Sequence, residues 1–318
     1  MRFSVDPWDP TYGSGLDAEL GQSTAEVDAE VEVPAARWAP IAPDPAVERP
    51  AAVLFVDGVR RVDAQVWIDE PDGGAAPALC ASYAAGVVCC CRTEGAHLTT
   101  ALLRRGVITT VDDAADIVTT AGTFRATRTG ARPAASPLQV LSLALQRDLA
   151  AVELLAAASA RSEHGPDDDL LVVDGPLRGR QHLPRAVGFV KSHRSDYLPP
   201  ELGAVVARLG VGERTPVFRL GSSWERHTWY LRLPCRPAYP WVGVVRVEAG
   251  ADLAPAEAVA LATLSQATLG RFASVEYKDS RAPQNLYPIA GLERELRRRL
   301  GEQALLYRAL RRVAGSRA

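Results

Sequence analysis

Short apolar runs separated by turn residues dominate the chain beyond its first fifty residues. The continuous run Ala52–Val56 predicts a strand buried on both faces, ending at Asp57-Gly58. The alternating segment Val62–Ile68 predicts a half-buried strand, and the short link GVRR between the two predicts a hairpin. A third apolar run, Ala84–Cys91, follows the loop EPDGGAAP and predicts another strand.

A long helix is predicted to begin at residue 137, because Ser136 can cap it and Pro137 suits its first position. Leucines then recur at steps of three and four, which gives one apolar stripe, and the helix is expected to end near His164. The remaining apolar runs predict strands at 170–175, 186–191, 217–220, 228–233, 241–247 and 273–277, and helices at 255–269 and 289–313.

Residues 1–48 form an acidic segment rich in proline and alanine, without a sustained apolar period. This composition predicts an extended arm, ordered only where it docks on residues 49–318, which we interpret as one domain. Trp8, Tyr12 and Trp38 are the candidate docking points. The last forty residues are rich in arginine, which is typical either of contact with a polyanion or of a solvated helix face.

Composition excludes several classes of protein. The 318 residues are 47% hydrophobic and 23% charged, close to the globular average, which excludes disorder throughout the chain. No stretch approaches the ~18–20 apolar residues needed to span a bilayer. The start MRFSVDPWDP lacks the basic and apolar regions of a secretory signal, so we expect a cytoplasmic protein. The sequence has no phosphate-binding Gly-x4-Gly-Lys-Ser/Thr loop, which excludes a P-loop motor.

Three of the five cysteines, Cys89, Cys90 and Cys91, are adjacent. On a strand they point alternately to the two faces and cannot all bind one metal ion. No cysteine pair has Cys-x-x-Cys spacing, and no histidine lies at zinc-finger spacing. We therefore interpret the cysteines as small buried hydrophobic residues.

An Asp-Gly pair follows each of two apolar runs, LFVDG and LVVDG. If the two strands are parallel neighbours, Asp57 and Asp174 emerge at one edge of the sheet. Their repulsion would be relieved by a divalent cation, and oxygen ligands favour Mg²⁺ or Mn²⁺. Glu153, beside the apolar stripe of the long helix, is a third candidate ligand. The alternatives are ordinary turn chemistry for the aspartates and an exposed helix position for Glu153.

This succession of elements resembles the RNase H-like nuclease plan and, more narrowly, the NurA nuclease family. The resemblance implies an α/β fold with an RNase H-like mixed sheet flanked by helices, preceded here by the acidic extension. It spans residue 51 to about residue 300. The segments that carry it are FVDGVRRVDAQVW, the helix around Glu153, LLVVDGPL, GFVKSHRSDYL, WYLRL and NLYPIAGLERELRRRL.

The resemblance also implies a function. Proteins of this family are nucleases that act on DNA ends and single strands, and the implied reaction is phosphodiester hydrolysis with two Mn²⁺ or Mg²⁺ ions per chain. A homodimer partnered by a HerA-type hexameric ATPase is implied as well. By resemblance, Asp57, Glu153 and Asp174 match metal ligands, Lys191 matches the basic residue after a later strand, and Tyr230 matches an aromatic position. Tyr230 is also a candidate DNA contact, because an aromatic ring can stack on an unpaired base.

The chain departs from the family pattern at one position. Where the family has a histidine on the last helix, this sequence has Glu293. A glutamate can bind a hard cation, and the alternative is an ordinary salt bridge with neighbouring arginines. The departure motivates a second hypothesis, a catalytically silent NurA-like subunit that binds DNA or docks on the ATPase. An enzyme acting on RNA or a hybrid is a third, although no residue is identified as a reader of the 2′-hydroxyl.

Basic residues supply the candidate contacts with DNA. Lys191 and Lys278 are the only lysines in the chain, and we expect Lys191 to stabilise charge on the scissile phosphate. Its alternative is a strand-end lysine that extends its amino group into water. Arg194 is a second phosphate clamp, and His193 and Lys278 are further phosphate contacts whose alternative is an ordinary surface position.

Overall fold

The computed structural model of the chain describes residues 25–70, 73–130, 135–164, 168–191, 197–222, 224–236, 241–279 and 281–315. The fold is mixed α/β, with a large, mostly antiparallel sheet and helices. Among these described residues, no helix has the length and apolar character needed to cross a membrane.

The described part of the chain contains eleven strands and five α-helices. The strands are β1 (Glu26–Asp28), β2 (Ala52–Asp69), β3 (Ala75–Cys91), β4 (Gly95–Thr109), β5 (Ile117–Thr119), β6 (Gly122–Arg128), β7 (Asp169–Asp174), β8 (Ala186–Val190), β9 (Phe218–Gly221), β10 (Glu225–Arg232) and β11 (Val244–Gly250). The helices are α1 (Pro137–His164), α2 (Pro200–Ala207), α3 (Pro255–Leu269), α4 (Tyr287–Arg299) and α5 (Gln303–Gly315).

The chain divides into two compact units, each made of three segments. The first unit consists of the described residues of Met1–Phe55, Val88–His97 and His164–Ala290. The second unit takes those of Val56–Val87, Leu98–Glu163 and Gly291–Ala318.

The strands of the first unit follow the order β1-β9-β10-β11-β8-β7, with the start of β2 next to β7. The pairs from β1 to β8 are antiparallel, whereas β7 and β8 are parallel. The N–H of Ala52 donates to the carbonyl of Asp168 at 3.3 Å, so β2 and β7 begin side by side, as parallel neighbours do. The core of this unit joins Val53, Phe55 and Trp229 of the strands to apolar residues of α3.

The described end of the acidic arm is part of the first unit and packs against its other segments. Strand β1 pairs with β9, and the Glu32 carboxylate accepts hydrogen bonds from both terminal nitrogens of Arg214, at 2.7 and 2.9 Å. Trp38, an expected docking point, is buried and donates its indole N–H to the Ala29 carbonyl at 2.8 Å. The other two expected docking points, Trp8 and Tyr12, lie outside the described residues.

The strands of the second unit follow the order β2-β3-β4-β6-β5. Strands β4 and β6 are parallel, and β5 and β6 are antiparallel. The hydrophobic pattern does not predict β4, β5 or β6, because few of their side chains are fully buried and they show no clean alternation. Val107 and Phe124 of these strands pack against Leu306 and Leu310, which line the apolar face of α5.

The predicted hairpin at GVRR is wrong. Strand β2 continues without interruption from residue 52 to residue 69, through Asp57-Gly58. Gly58 is not among the glycines with a positive φ, so it does not turn the chain. The turn comes later, where the N–H of Glu70 donates to the carbonyl of Gly74 at 2.8 Å and Gly73 adopts a φ of 86°.

Two other predicted elements differ from the structure. The predicted helix 289–313 is two helices, α4 and α5, separated at Gly301, which has a φ of 76°. The predicted strand 273–277 is absent, because this segment turns and the N–H of Lys278 donates to the carbonyl of Val275 at 2.9 Å. The starts of α1 and α3 at proline are confirmed. The predicted strand 84–91 is only the end of β3, which begins at Ala75. The strands predicted at 170–175, 186–191, 217–220, 228–233 and 241–247 are confirmed to within three residues at each end.

Candidate metal centre

Asp57 lies near the beginning of β2, within the second unit. Its residue exposure is only 8%, and Val56 and Val59 of the same strand are buried as well. The N–H of Gly58 donates to Asp57 Oδ1 at 2.7 Å, which restricts the orientation of the carboxylate. The structure thus fixes an acidic group in a largely buried place.

Glu153 of α1 lies directly against Gly58 within the same unit. A methyl group at Gly58 would be 2.5 Å from Glu153 Oε1 and 2.7 Å from a methyl carbon of Leu149. Glycine is therefore required here to make room for a carboxylate, and not to end a strand. Glu153 is buried, which corrects the alternative of an exposed helix position.

Glu293 of α4 is a further candidate metal ligand in the second unit. Its neighbours Leu292 and Leu296 are buried, and a methyl group at Gly86 of β3 would lie 3.1 and 3.2 Å from their methyl carbons. Gly86 therefore allows α4 to pack closely on β3. Asp57 and Glu293 each offer a carboxylate oxygen within 4.8 Å of the other.

This pair of oxygens fits a hard divalent cation. Two like charges at this separation repel each other, more strongly in a partly buried place than in water. Oxygen atoms bound to one Mg²⁺ ion, at about 2.0–2.1 Å each, lie about 3–4 Å apart, so only a small approach of the two side chains is needed. A metal ion would therefore relieve repulsion that the fold itself creates.

Asp174 and Lys191 form an ion pair within the first unit. Asp174 is the last residue of β7, and it pairs in register with Phe189 of β8, two residues before Lys191. Lys191 Nζ lies 2.7 Å from Asp174 Oδ2, with side-chain exposures of 6% and 13%. The lysine therefore does not extend its amino group into water, which corrects that alternative.

Asn285 and Asp279 extend this pair into a chain of hydrogen bonds. Lys191 Nζ donates to Asn285 Oδ1 at 3.0 Å, and Asn285 Nδ2 donates to Asp279 Oδ2 at 2.6 Å. Burial alone would raise the pKa of Asp279, but hydrogen bonds from Asn285 and Arg281 outweigh it and hold that pKa below its usual value. Asn285 was not predicted as a site residue from the sequence, although it is the first residue of the segment NLYPIAGLERELRRRL.

The expected DNA contacts have different positions. Tyr230 is buried, stacked on Phe218 with ring centres 6.0 Å apart, so its ring is not offered to bases. Lys278 is exposed, and its Nζ lies 5.4 Å from the ring centre of Tyr277 and 5.6 Å from that of Tyr287. Tyr277 is 82% exposed, which makes it the more accessible aromatic ring. His193 and Arg194 lie outside the described residues.

No protein-family model matches the chain, and the search of curated proteins finds no match either. The resemblance to NurA nucleases therefore depends on the sequence segments given above.

Proposed function

We propose that this protein is a deoxyribonuclease that depends on Mn²⁺ or Mg²⁺, with an RNase H-like fold similar to that of NurA nucleases. The carboxylates that bind the ions in this proposal are Asp57, Glu153, Asp174 and Glu293. The observation that carries it is the like-charged pair of buried Asp57 and half-buried Glu293, with oxygens within 4.8 Å. Asp174 is included because, like Asp57, it stands in an Asp-Gly pair directly after an apolar run of the sequence.

Bound ions would supply a metal-activated water as nucleophile and would stabilise the leaving 3′-oxygen. The residues of the chain hold the carboxylates in place and contribute positive charge. Lys191 is the candidate for stabilising charge on the scissile phosphate, because a preorganised cation is most effective where charge develops. Asn285 orients the ammonium group of Lys191, because Lys191 Nζ donates a hydrogen bond to Asn285 Oδ1 at 3.0 Å.

The surface formed by Tyr277, Lys278 and Tyr287 suits a single strand of nucleic acid. Bases stack on exposed aromatic rings regardless of their identity, and a lysine between the rings can neutralise a phosphate. This surface takes the role that the sequence analysis assigned to the buried Tyr230. Lys278 keeps its assigned role as a phosphate contact.

The partners in the proposal come from the resemblance. They are a homodimeric partner copy and a HerA-type hexameric ATPase that feeds DNA to the nuclease in the cytoplasm. The given sequence contains no P-loop, so in this proposal the ATPase, and not this chain, hydrolyses ATP. Two metal ions per chain are expected.

The test is a cleavage assay on labelled single-stranded and double-stranded DNA with Mn²⁺, Mg²⁺ or EDTA. We expect cleavage by the wild-type protein with Mn²⁺, and a loss of about 100-fold or more in Asp57→Asn, because loss of one metal-binding group removes transition-state stabilisation. Glu293→Gln is expected to lose activity as well. The matched control is Glu295→Gln on the same helix, whose carboxylate pairs with Arg298 and Arg299 at the surface. Metal-independent cleavage, or full activity in Asp57→Asn, contradicts the proposal.

The presence of Glu293 in place of the family's histidine favours a second candidate, a silent subunit that binds DNA or the ATPase. It predicts DNA binding that weakens steeply with salt, without cleavage under any metal condition. The same assay with labelled RNA and an RNA–DNA hybrid separates the DNA nuclease from an enzyme acting on RNA. Cleavage of RNA alone would reassign the substrate while retaining the metal site.

A further inference from the structure

The hairpin of β3 and β4 brings together a second group of metal-binding side chains, within the first unit. Cys89 and Cys91 lie on one face of β3, whereas Cys90 faces the other way and packs against the hydrophobic core. The chain turns after Cys91, and β4 returns beside it with His97 near its start. The sulfur atoms of Cys89 and Cys91 and a ring nitrogen of His97 all lie within 4.8 Å of one another.

Polar groups of the turn surround the sulfur of Cys91. The Thr93 hydroxyl lies 3.3 Å from it, and the N–H of Glu94 donates to it at 3.4 Å. These two contacts hold the pKa of Cys91 below its usual value, because they stabilise the thiolate. Cys89 is the more demanding ligand, since burial raises its pKa to about 12 and a metal ion has to displace its proton.

His97 is oriented by the same turn. Its Nδ1 lies 3.4 Å from the carbonyl oxygen of Gly95, and its Nε2 lies 3.5 Å from Glu94 Oε2. A proton on Nδ1 directed at a backbone carbonyl leaves Nε2 to bind a metal ion, which is the usual arrangement of histidine ligands. The Glu94 carboxylate lies close enough to Nε2 to share the same ion.

We propose that this hairpin binds one Zn²⁺ ion through Cys89, Cys91 and His97, with Glu94 as the fourth ligand. Two thiolates, an imidazole and a carboxylate form a tetrahedral set that suits zinc better than Mg²⁺ or Mn²⁺. Zinc bonds of about 2.0–2.3 Å place ligand atoms about 3.5–4 Å apart, so Cys89, Cys91 and His97 need to approach one another by about 1 Å. The site is chemically distinct from the carboxylates of the proposed nuclease.

The consequence is a metal clip across the tip of the hairpin. Zinc would join the end of β3 to the start of β4, and binding to the folded state alone would raise the stability of the protein. The spacing Cys-x-Cys-x5-His differs from that of the usual zinc motifs, which is why the sequence analysis did not identify it. The three ligands meet because Cys89 and Cys91 share one face of β3 and because β4 returns beside β3 with His97 near its start.

The test uses the full chain, reduced and stripped of metal, titrated with Co²⁺ and then with Zn²⁺. We expect one equivalent of Co²⁺ to produce the charge-transfer absorption of a cobalt–thiolate bond, and Zn²⁺ to displace it. Cys91→Ser and His97→Ala are expected to lose this absorption, and Glu94→Gln is expected to weaken binding less. The matched control is Cys90→Ser, which removes a thiol from the opposite face and leaves the spectrum unchanged.

A second measurement does not depend on the folding of any variant. In the wild-type protein, Zn²⁺ should protect the partly exposed Cys91 from a thiol reagent, whereas Cys89 is buried and shielded with or without the ion. The proposal is overturned if zinc protects no thiol, or if no thiolate absorption appears with Co²⁺. It is also overturned if Asp57→Asn abolishes zinc binding while Cys91→Ser retains it, because the ion then occupies the carboxylates of the second unit.

Discussion

Asp174 in the first unit and Asp57 in the second are both largely buried, but their charges are balanced differently. Asp174 forms an ion pair with Lys191 at 2.7 Å, and Asn285 supports the lysine. Asp57 has another carboxylate, that of Glu293, within 4.8 Å. The first arrangement pairs opposite charges, whereas the second places two carboxylates close together. The difference teaches that the pair of carboxylates in the second unit is an arrangement that a metal ion would stabilise, because a cation relieves repulsion between like charges.

The largest expected effect is on stability without metal. Lys191→Met leaves a buried carboxylate without its ammonium partner, so we expect a loss of about 3 kcal/mol in the free energy of unfolding. Asp57→Asn removes one of two like charges, so in EDTA we expect no loss, or a gain of up to about 1 kcal/mol. Urea unfolding of the two variants in EDTA measures both values.

The double variant Asp174→Asn/Lys191→Met provides the control for this experiment. Since it removes both charges together, we expect it to be more stable than Lys191→Met alone, because no uncompensated charge stays buried. If Asp57→Asn is destabilised as much as Lys191→Met, the charge of Asp57 stabilises the folded protein as much as the ion pair of Asp174 does, and the comparison fails.

The parts of the fold set by local chemistry were predictable from sequence. Helices α1 and α3 begin at Pro137 and Pro255, because proline without an N–H suits the first helical position. The continuation of β2 through Gly58 was not predictable, because the reason for the glycine is the Glu153 side chain about a hundred residues later in the chain. An Asp-Gly pair has the same local signal whether it turns the chain or makes room for a distant group.

The candidate sites divide in the same way. Residue type and strand pattern singled out Asp57 and Asp174, but the contact between Lys191 and Asn285 depends on tertiary structure and has no local signal. Likewise, the sequence showed that Cys89 and Cys91 share a face, yet it contained no indication that His97 returns to the same place. Sequence patterns predict which residues carry chemistry more readily than which residues meet.

The next effect concerns the position of Glu153 beside Asp57. Gly58→Ala places a methyl group 2.5 Å from Glu153 Oε1, so the carboxylate has to move although no charge is removed. We expect the proposed Mn²⁺-dependent cleavage to fall about 30-fold, equivalent to about 2 kcal/mol, because small displacements of catalytic groups are costly. Single-turnover cleavage of single-stranded DNA measures this change.

The matched control is Gly291→Ala, two residues before Glu293 on α4. A methyl group there meets no atom within 4 Å, and alanine favours a helix over glycine, so we expect unchanged cleavage and a small gain in stability. Equal activity losses in the two variants would indicate a general disturbance of the fold and not a specific role for Glu153.

A smaller effect is expected at the exposed aromatic surface of the first unit. Tyr277→Ala removes a ring that is 82% exposed, and we expect about tenfold weaker binding of single-stranded DNA, since one stacked base contributes about 1–3 kcal/mol. Fluorescence anisotropy at fixed salt measures the affinity. Tyr307→Ala, which removes another exposed tyrosine, is the control, and an equal loss of affinity there argues against a specific stacking surface.

The smallest effect is the pH-dependent contribution of Asp279 to the free energy of unfolding. Asp279 accepts a hydrogen bond from Asn285, which in turn accepts one from Lys191. The pKa of Asp279 is held below its usual value of about 3.9, so its ionised form stabilises the folded state. This contribution is fully present above the ordinary pKa and is lost as the pH falls through the lower pKa of the folded protein. Asp279→Asn is therefore expected to cost about 1 kcal/mol or less near neutral pH, and the difference from wild type should disappear in acid.

Urea unfolding of both proteins from neutral pH down to about pH 3 checks this sign. Asn285→Ala sharpens the result, because Asn285 donates the 2.6 Å hydrogen bond that favours the ionised form of Asp279. On the Asn285→Ala background, Asp279→Asn should cost less, and the acid-dependent difference should shrink. If the effects of the two substitutions simply add, Asn285 does not couple Asp279 to Lys191, and the first unit balances the charge of Asp174 by the ion pair alone.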